Sequence, residues 1–142
     1  MTVIERQVLE GVVVHPPKTY TFTVDIEVAG SVLADILTTA VEGGINYWCS
    51  VEQYRWQKRE PQDVYAVIRE DMDVPLQHTI TVATIREGLY RLIRREAKCH
   101  LSEADALKQM ALDIVCDPDA DYDAGDADNI VQAGLFNEIA YG

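Results

Sequence analysis

The spacing of apolar residues predicts a clear strand near the start of the chain. Apolar and polar positions alternate strictly from residue 19 to residue 28, and the polar positions are threonine or acidic. The apolar members are Tyr20, Phe22, Val24, Ile26 and Val28. A period of two with aromatic and β-branched residues is typical of a strand with one buried face. Residues 2–14, which end in three valines, predict another strand, followed by a loop at Pro16 and Pro17.

A helix follows this strand. From residue 32 to residue 41, apolar residues recur at the spacing of one helix face. Ser31 is a candidate N-cap, because its hydroxyl can accept a hydrogen bond from a free backbone amide. Gly43 or Gly44 is the predicted left-handed residue that ends the helix.

A hairpin is predicted after the two glycines. The period returns to two between residues 45 and 57, and the apolar set changes phase by one position after Gln53. Such a change predicts a β-bulge or a strong bend. Residues 45–57 and 64–69 therefore predict an antiparallel hairpin, with a turn at 58–63.

The second half of the chain predicts three more helices. Thr84 and the glutamate three residues later match a capping box, and Ser102 begins a weaker one. Asp123 with Asp126 predicts the start of the last helix. This order of elements predicts a single α+β domain over residues 1–142, with an antiparallel sheet of about four to five strands and helices packed on one face.

Composition indicates a globular protein of a reducing compartment. The chain is 48% hydrophobic, but no apolar run approaches the roughly 20 residues of a membrane span. The first residues lack the basic and apolar regions of a secretory signal, so a cytoplasmic location is predicted. The cysteines are odd in number and lack metal-ligand spacing. Cys49 and Cys116 lie in apolar surroundings and are predicted core residues.

The net charge of −12 narrows the choice of partners. Direct binding to nucleic acid or to an anionic membrane requires basic surface, so neither is predicted. Three interpretations remain open: a charge that serves solubility, a basic protein partner, or imitation of nucleic acid.

The stretch after the helix is the main candidate site. Gly43 and Gly44 allow close approach of a ligand to the backbone, Tyr47 and Trp48 offer stacking faces, and Asn46 offers a hydrogen-bonding edge. A nucleobase or a similar ring uses all three kinds of group. The alternative interpretation is a glycine C-cap followed by a strand whose aromatic residues belong to the core.

The aspartate-rich stretch at residues 117–128 is a weaker candidate for a metal site. A calcium-binding loop needs glycine at its sixth position, where Tyr122 stands in the register that begins at Asp117. We therefore predict no metal and no cofactor. A solvated loop that caps the last helix explains the same residues, since carboxylates stabilise a helix N-terminus.

Basic residues concentrate in one helix of this acidic chain. Arg91, Arg94 and Arg95 are candidate phosphate ligands, because guanidinium groups bind phosphate with two parallel hydrogen bonds. The alternative is that they complement the negative end of their helix and form ion pairs. No serine lies in a nucleophile elbow and no phosphate loop is present, so no catalytic residue is predicted.

Two stretches resemble small proteins encoded by bacteriophages and prophages. The first, residues 37–48, contains the sequence Glu-Gly-Gly-x-Asn-Tyr-Trp. The second is the tail from Asp123, where a helix that begins in an Asp-rich turn ends in a Phe-x-Glu-Ile-x-Tyr-Gly pattern. Ile45 and Asn137 depart from the resemblance, and residues 1–28 lie outside it. The resemblance implies a phage accessory protein that acts in the host bacterial cytoplasm.

If the two stretches meet in space, they form a pocket with an aromatic floor and a polar rim. The first hypothesis is therefore a binding module, a homo-oligomer, that holds a nucleotide-like ligand and by analogy sequesters a host immune signal. The predicted ligand-binding residues are Gly43, Gly44, Asn46, Tyr47, Trp48, Asp123, Asp126 and Gln132. The alternatives are an acidic inhibitor or DNA mimic that binds a host enzyme, and an enzyme that acts on nucleotides.

Overall fold

The structure, a computed structural model, describes residues 7–9, 12–14, 18–56 and 60–142. Its strands and helices are β1 (Gln7–Leu9), β2 (Val12–Val14), α1 (Gly30–Thr39), β3 (Cys49–Arg55), β4 (Tyr65–Glu70), β5 (Gln77–Thr81), α2 (Val82–Ile93), α3 (Ala104–Cys116) and α4 (Ala124–Phe136). A π-helical turn (Ala40–Gly44) extends α1, and 3₁₀ turns lie at Pro61–Asp63 and Leu101–Glu103. The α+β class is confirmed. The loop predicted at Pro16 and Pro17 lies outside the described residues.

Strands β3, β4 and β5 form an antiparallel sheet in that order. The predicted hairpin is confirmed, and the register shift between Val51 and Gln53 is the predicted bulge. Part of its turn, residues 57–59, lies outside the described residues. Strands β1 and β2 pair with each other in a separate antiparallel sheet. The main sheet therefore has three described strands, and the prediction of about four to five is not confirmed.

The strand predicted at residues 19–28 is wrong. These residues lie outside every helix and strand in the described part of the chain. Their apolar side chains are largely exposed, with Phe22 at 86%. Alternation of apolar and polar residues indicates an extended backbone, but a strand also needs a neighbour to receive its hydrogen bonds.

Two features predicted for α1 need correction. The N-cap is Ala29, without a side-chain hydrogen bond, and Ser31 lies inside the first turn. Gly43 and Gly44 do not form a left-handed C-cap, because both lie in the π-helical turn and neither has a positive φ. The helix continues through both glycines because the chain packs closely against α4 there, which is a tertiary effect.

The starts of α2 and α3 also differ from prediction. Thr81 is the N-cap of α2, and the hydroxyl of Thr84 accepts a hydrogen bond from the Thr81 amide at 3.1 Å. Strand pairing of β5 continues to Thr81, so the helix begins three residues earlier than the predicted box. The weaker box at Ser102 does not form, because a 3₁₀ turn occupies that position and α3 begins at Ala104 without a side-chain cap.

Helices α2 and α4 approach each other backbone to backbone. A Cβ atom on Gly88 would lie 2.0 Å from the carbonyl oxygen of Ile130, and one on Gly134 would lie 2.1 Å from that of Thr84. Any larger side chain at either position would push the helices apart. The crossing therefore fixes α4 against α2, and its buried residues, such as Ile130, belong to the same apolar core as α1, β4 and β5.

The two cysteines predicted in the core differ. Cys49 at the start of β3 is buried as predicted, whereas Cys116 is exposed, which corrects that prediction. Cys116 is the last residue of α3 and precedes the aspartate-rich stretch. Across the described ranges, no helix combines the length and the apolar character that crossing a membrane would require.

Candidate functional site

The stretch of residues 37–48 and the stretch that begins at Asp123 meet in space at the side chain of Asp128. Its Oδ2 accepts a hydrogen bond from the Tyr47 hydroxyl at 2.6 Å. Its Oδ1 accepts from Trp48 Nε1 at 2.8 Å and from Gln132 Nε2 at 2.9 Å. Asp128 is only 4% exposed and Gln132 is fully buried. Three donors thus satisfy a buried carboxylate, which compensates for much of its lost hydration.

Aromatic rings cover this carboxylate and fix residues 137–142, which follow α4 and are called the tail from here on. Trp48 stacks on Tyr141, with ring centroids 4.9 Å apart and planes 5° apart, and its edge meets Phe136 at 5.7 Å. The Gln132 side chain pairs with the Tyr141 backbone through bonds of 2.8 Å and 3.2 Å. We call Tyr47, Trp48, Asp128, Gln132 and Tyr141 the aspartate cluster.

The aspartate cluster continues into the sheet through Glu70 at the end of β4. The Tyr141 hydroxyl donates to Glu70 Oε1, and His78 Nε2 lies 2.7 Å from Glu70 Oε2. Glu70 is buried, but these partners hold the pKa of its carboxyl below its usual value by more than burial raises it. The hydrogen bond from Tyr141 to Glu70 raises the pKa of the Tyr141 hydroxyl to about 12. Partial burial and the hydrogen bond to Asp128 raise the pKa of the Tyr47 hydroxyl to about 12.

Helix α4 is held in register by its first turn. Asp123 and Asp126, the predicted helix start, form a capping box: Asp123 Oδ1 accepts from the Asp126 amide at 2.8 Å, and Asp126 Oδ2 accepts from the Asp123 amide at 3.1 Å. Next to it, a Cβ atom on Gly44 would lie 2.5 Å from the carbonyl oxygen of Ala124. The predicted glycine is therefore needed for close approach, and what approaches it is the backbone of α4.

The predicted ligand residues have different structural roles. Tyr47, Trp48 and Gln132 lie together, but they contact one another and Asp128 rather than surround an open space. The Asn46 amide donates to the carbonyl oxygen of Val41 at 3.3 Å. Gly43 has room beside it, since a Cβ atom there would meet only the Ala124 side chain at 3.9 Å.

The three arginines proposed to bind phosphate do not converge. Arg91 donates to the carbonyl oxygens of Ala133 and Gly134 at 2.9 and 3.0 Å, near the end of α4. Arg94 pairs with Glu96 at 2.7 Å, and Arg95 pairs with Asp105 at 3.0 Å. These contacts match the alternative interpretation of dipole and ion-pair partners.

An open cleft of about 550 Å³ lies beside the aspartate cluster. The cleft is lined by residues just before α3, in α3, in α4 and in the tail. They include His100, Glu103, Met110, Asp126, Asn129 and Tyr141. The tail is held there by pairing with residue 98: the Lys98 amide donates to Asn137 at 2.9 Å, and the Ile139 amide donates to Lys98 at 2.7 Å. Asn137 ends α4 in the left-handed conformation, at φ 53°.

The cleft has an acidic lining. Glu103 and Asp126 are its only Asp, Glu, Lys or Arg side chains among the described residues. The hydrogen bond of the capping box uses Asp126 Oδ2, and the structure places no described partner on Oδ1. A lining of this kind attracts hydrogen-bond donors and cations and repels phosphate.

Sequence reasoning missed Asp128, Glu70 and His78 as members of one network. Asp128 carried a signal, because it lies four residues before Gln132 and between the apolar positions Ala127 and Ile130 of α4. A carboxylate inside an apolar helix face needs donors, and Tyr47 and Trp48 supply them. No comparable signal was available for Glu70, whose partners come from β5 and the tail.

The described residues contain no group of three or more His, Cys, Asp or Glu side chains placed to hold a metal ion. The polar side chains of the aspartate cluster hydrogen-bond to one another or to Glu70. Comparison of the chain with protein-family models, with curated proteins and with solved structures found no match.

Proposed function

We propose that this protein is a binding module that holds a nucleotide-like small molecule in the cleft between α3, α4 and the tail. The observation that carries the proposal is the cleft itself, which lies next to the point where the two distinctive stretches of the sequence meet. Its volume of about 550 Å³ falls in the usual range for small-molecule sites.

The lining suits the base and sugar of such a ligand. Tyr141 and Met110 offer apolar surface for a planar ring. Asn129 offers both a donor and an acceptor, and Asp126 offers an acceptor for an exocyclic amino group or a ring N–H. Because the charged lining is acidic, the phosphates of a nucleotide would lie outside the cleft, towards solvent.

The binding surface is supported from behind. Trp48 and Glu70 hold the Tyr141 ring in one orientation, and Gln132 holds its backbone. A surface held in this way loses little conformational freedom when a ligand binds, which favours affinity.

The first test is to release small molecules from natively purified protein by denaturation and to identify them by mass spectrometry. A stoichiometric nucleoside or nucleotide supports the proposal. Binding of that molecule is then measured by calorimetry in Ala106→Trp, which fills the cleft from an exposed position. The matched control is Gln109→Trp on the same helix, outside the cleft lining. The proposal is contradicted if no such molecule is found and none binds, or if both variants bind equally.

The biological role that we propose follows from the resemblance to phage proteins. In an infected bacterium, a module of this kind, as a homo-oligomer in the host cytoplasm, would sequester a nucleotide-like immune signal. Expression of the protein would then protect phage against a nucleotide-signalled defence, and Ala106→Trp would abolish the protection. Hydrolysis of the bound nucleotide would instead support the third hypothesis, an enzyme.

A second candidate is an acidic inhibitor that binds a host enzyme. It is favoured by the exposed carboxylates at the end of α3 and in the loop after it, which are Asp113, Asp117, Asp119 and Asp121. Binding to a basic surface would weaken steeply with salt, because exposed charges are screened. Co-purification of a host enzyme that is lost in Asp117→Asn/Asp119→Asn/Asp121→Asn supports it, and salt-insensitive binding contradicts it.

A further inference from the structure

Residues 19–28 belong to no helix or strand, and most of their apolar side chains are exposed; we refer to them as the arm. Tyr20 is 65% exposed, Phe22 86% and Val24 71%. Large apolar side chains are common singly at a protein surface, but here they recur at every second position of a continuous segment. Three of the intervening polar positions are threonines, which favour strands.

The backbone of the arm is also unpaired within the described part of the chain. No backbone hydrogen bond joins residues 19–28 to another described residue. Amides and carbonyls that no described residue pairs are a template for pairing with another strand, and the alternating sequence of the arm favours a strand.

An apolar groove continues from the arm. The second half of the arm lines it with Val24 and Ile26, and α1, α2 and α3 contribute Leu33, Leu89 and Val115. The groove has a volume of about 360 Å³. The second half of the arm therefore borders an open apolar surface, and Phe22 is not one of its lining residues.

The pattern of the arm makes it complementary to a second copy of itself. Its polar face carries Thr19, Thr21 and Thr23 in the first half, and Asp25 and Glu27 in the second. Parallel pairing in register would place each carboxylate beside its own copy. Antiparallel pairing about Thr23 instead places each carboxylate opposite a threonine, with Asp25 opposite Thr21. Like charges directly opposite each other are destabilising, so the antiparallel arrangement is favoured.

The same arrangement aligns the apolar face. About the same centre, Phe22 lies opposite Val24 and Tyr20 lies opposite Ile26. Aromatic and β-branched residues form favourable cross-strand pairs. A two-stranded ribbon is marginally stable alone, and the grooves of both copies supply the apolar surface that it needs.

We propose that the arm is a homodimer interface, in which two copies pair their arms antiparallel about a twofold axis at Thr23 and pack the paired apolar faces on both grooves. The interface is isologous, because each copy contributes the same residues. It is independent of the ligand cleft, which is lined by α3, α4 and the tail.

The first experiment measures the mass of the full chain in solution by analytical ultracentrifugation across a range of concentrations. Wild type is expected to dimerise, and Phe22→Asp is expected to raise the dimer dissociation constant by about 30-fold or more, as for the loss of a central aromatic contact. Val74→Asp is the matched control, because it adds the same charge at a residue that is 75% exposed outside the arm. A monomeric wild type, or a dimer that Phe22→Asp leaves unchanged, overturns the proposal.

A cross-linking experiment tests the register. Thr23→Cys, in a background with Cys99→Ser and Cys116→Ser, places a thiol opposite its own copy, within the Cα separation of about 4.4–6.8 Å that a disulfide requires. In Asp25→Cys the two thiols are offset by four residues, about 13 Å along the strands. Oxidation is expected to give covalent dimers of Thr23→Cys only. Equal cross-linking of both variants, or of neither, overturns the proposed pairing.

Circular dichroism is the control for the first experiment and is expected to show that Phe22→Asp is folded.

Discussion

The aspartate cluster and the arm contain the same kinds of residue, but Trp48 in the cluster is buried and Phe22 in the arm is exposed. Both combine aromatic side chains with polar or acidic neighbours. In the aspartate cluster, Trp48 is buried because Asp128 accepts the hydrogen bond from its indole. In the arm, Phe22 is exposed because no described element lies against it. An aromatic residue in a sequence therefore indicates burial only when partners for both its apolar surface and its polar neighbours are present.

The largest effect is expected when the central acceptor of the aspartate cluster is removed. Asp128→Ala leaves the buried Trp48 indole without its acceptor, removes one acceptor of Gln132, and opens a small cavity. We expect the free energy of unfolding to fall by about 3 kcal/mol. The measurement is chemical denaturation followed by Trp fluorescence. Asp121→Ala, in the exposed loop before α4, is the control and should change the value by less than about 0.5 kcal/mol. Equal effects would show that the cluster contributes no particular stability.

The next effect tests whether Gly44 is required for packing. Gly44→Ala places a methyl group 2.5 Å from the carbonyl oxygen of Ala124 and should destabilise the protein by about 2 kcal/mol. Gly43→Ala is the matched control, because its methyl group meets only ordinary contacts and alanine favours a helix. Thermal unfolding of both variants is the measurement. If the neighbouring substitutions behave alike, the close approach of α4 is not what selects glycine.

A smaller effect is expected from pH at Glu70. Its carboxyl has a lower pKa in the folded protein than its ordinary value of 4.5, so the unfolded state binds the proton more readily. The contribution of Glu70 to stability is therefore full above pH 4.5 and is lost as the pH falls through the lower, folded pKa. Denaturation between neutral and acid pH should show this loss in wild type.

Tyr141→Phe removes one of the hydrogen bonds that lower the Glu70 pKa. We expect the acid-dependent loss of stability to become smaller in this variant. Glu70→Gln should abolish the part of the loss that comes from Glu70. A profile that both substitutions leave unchanged would assign the acid sensitivity to other carboxylates.

The smallest change in the free energy of unfolding is expected for a substitution in the arm, measured on the monomer. Phe22→Ser should change the free energy of unfolding by less than about 0.5 kcal/mol when it is measured at concentrations low enough to exclude dimers. The contrast with Asp128→Ala compares an exposed with a buried polar–aromatic environment in one chain. A loss of more than about 1 kcal/mol in dilute protein would show that Phe22 packs within its own protomer.

Several local elements were predictable because neighbouring residues determine them. The helix face from residue 32, the bulge near Gln53 and the capping box of Asp123 with Asp126 all follow from spacing along the chain. Helix ends were less predictable. Ser31, Thr84 and Ser102 are suitable caps, but the helices begin elsewhere; α2, for example, begins where the pairing of β5 ends.

The candidate site also has a part that the sequence indicated and a part that depends on tertiary contacts. Sequence reasoning placed Tyr47, Trp48 and Gln132 in one group, on the condition that two distinctive stretches of the chain meet. It did not identify Asp128 as the shared acceptor, or the cleft beside it. Those features depend on distances between α4, the tail and the sheet, which no local pattern encodes.

The amino-acid sequence by itself determined the α+β class, the hairpin, the amphipathic helices and the acidic charge of this protein. Each depends on the periodicity, the capping or the composition of residues close together in the chain. Only the tertiary structure decided that Gly44 faces a helix backbone, that Asp128 holds two aromatic residues, and that the arm has no described partner. These outcomes depend on contacts between residues far apart in sequence, where packing and hydrogen-bond satisfaction outweigh local preference.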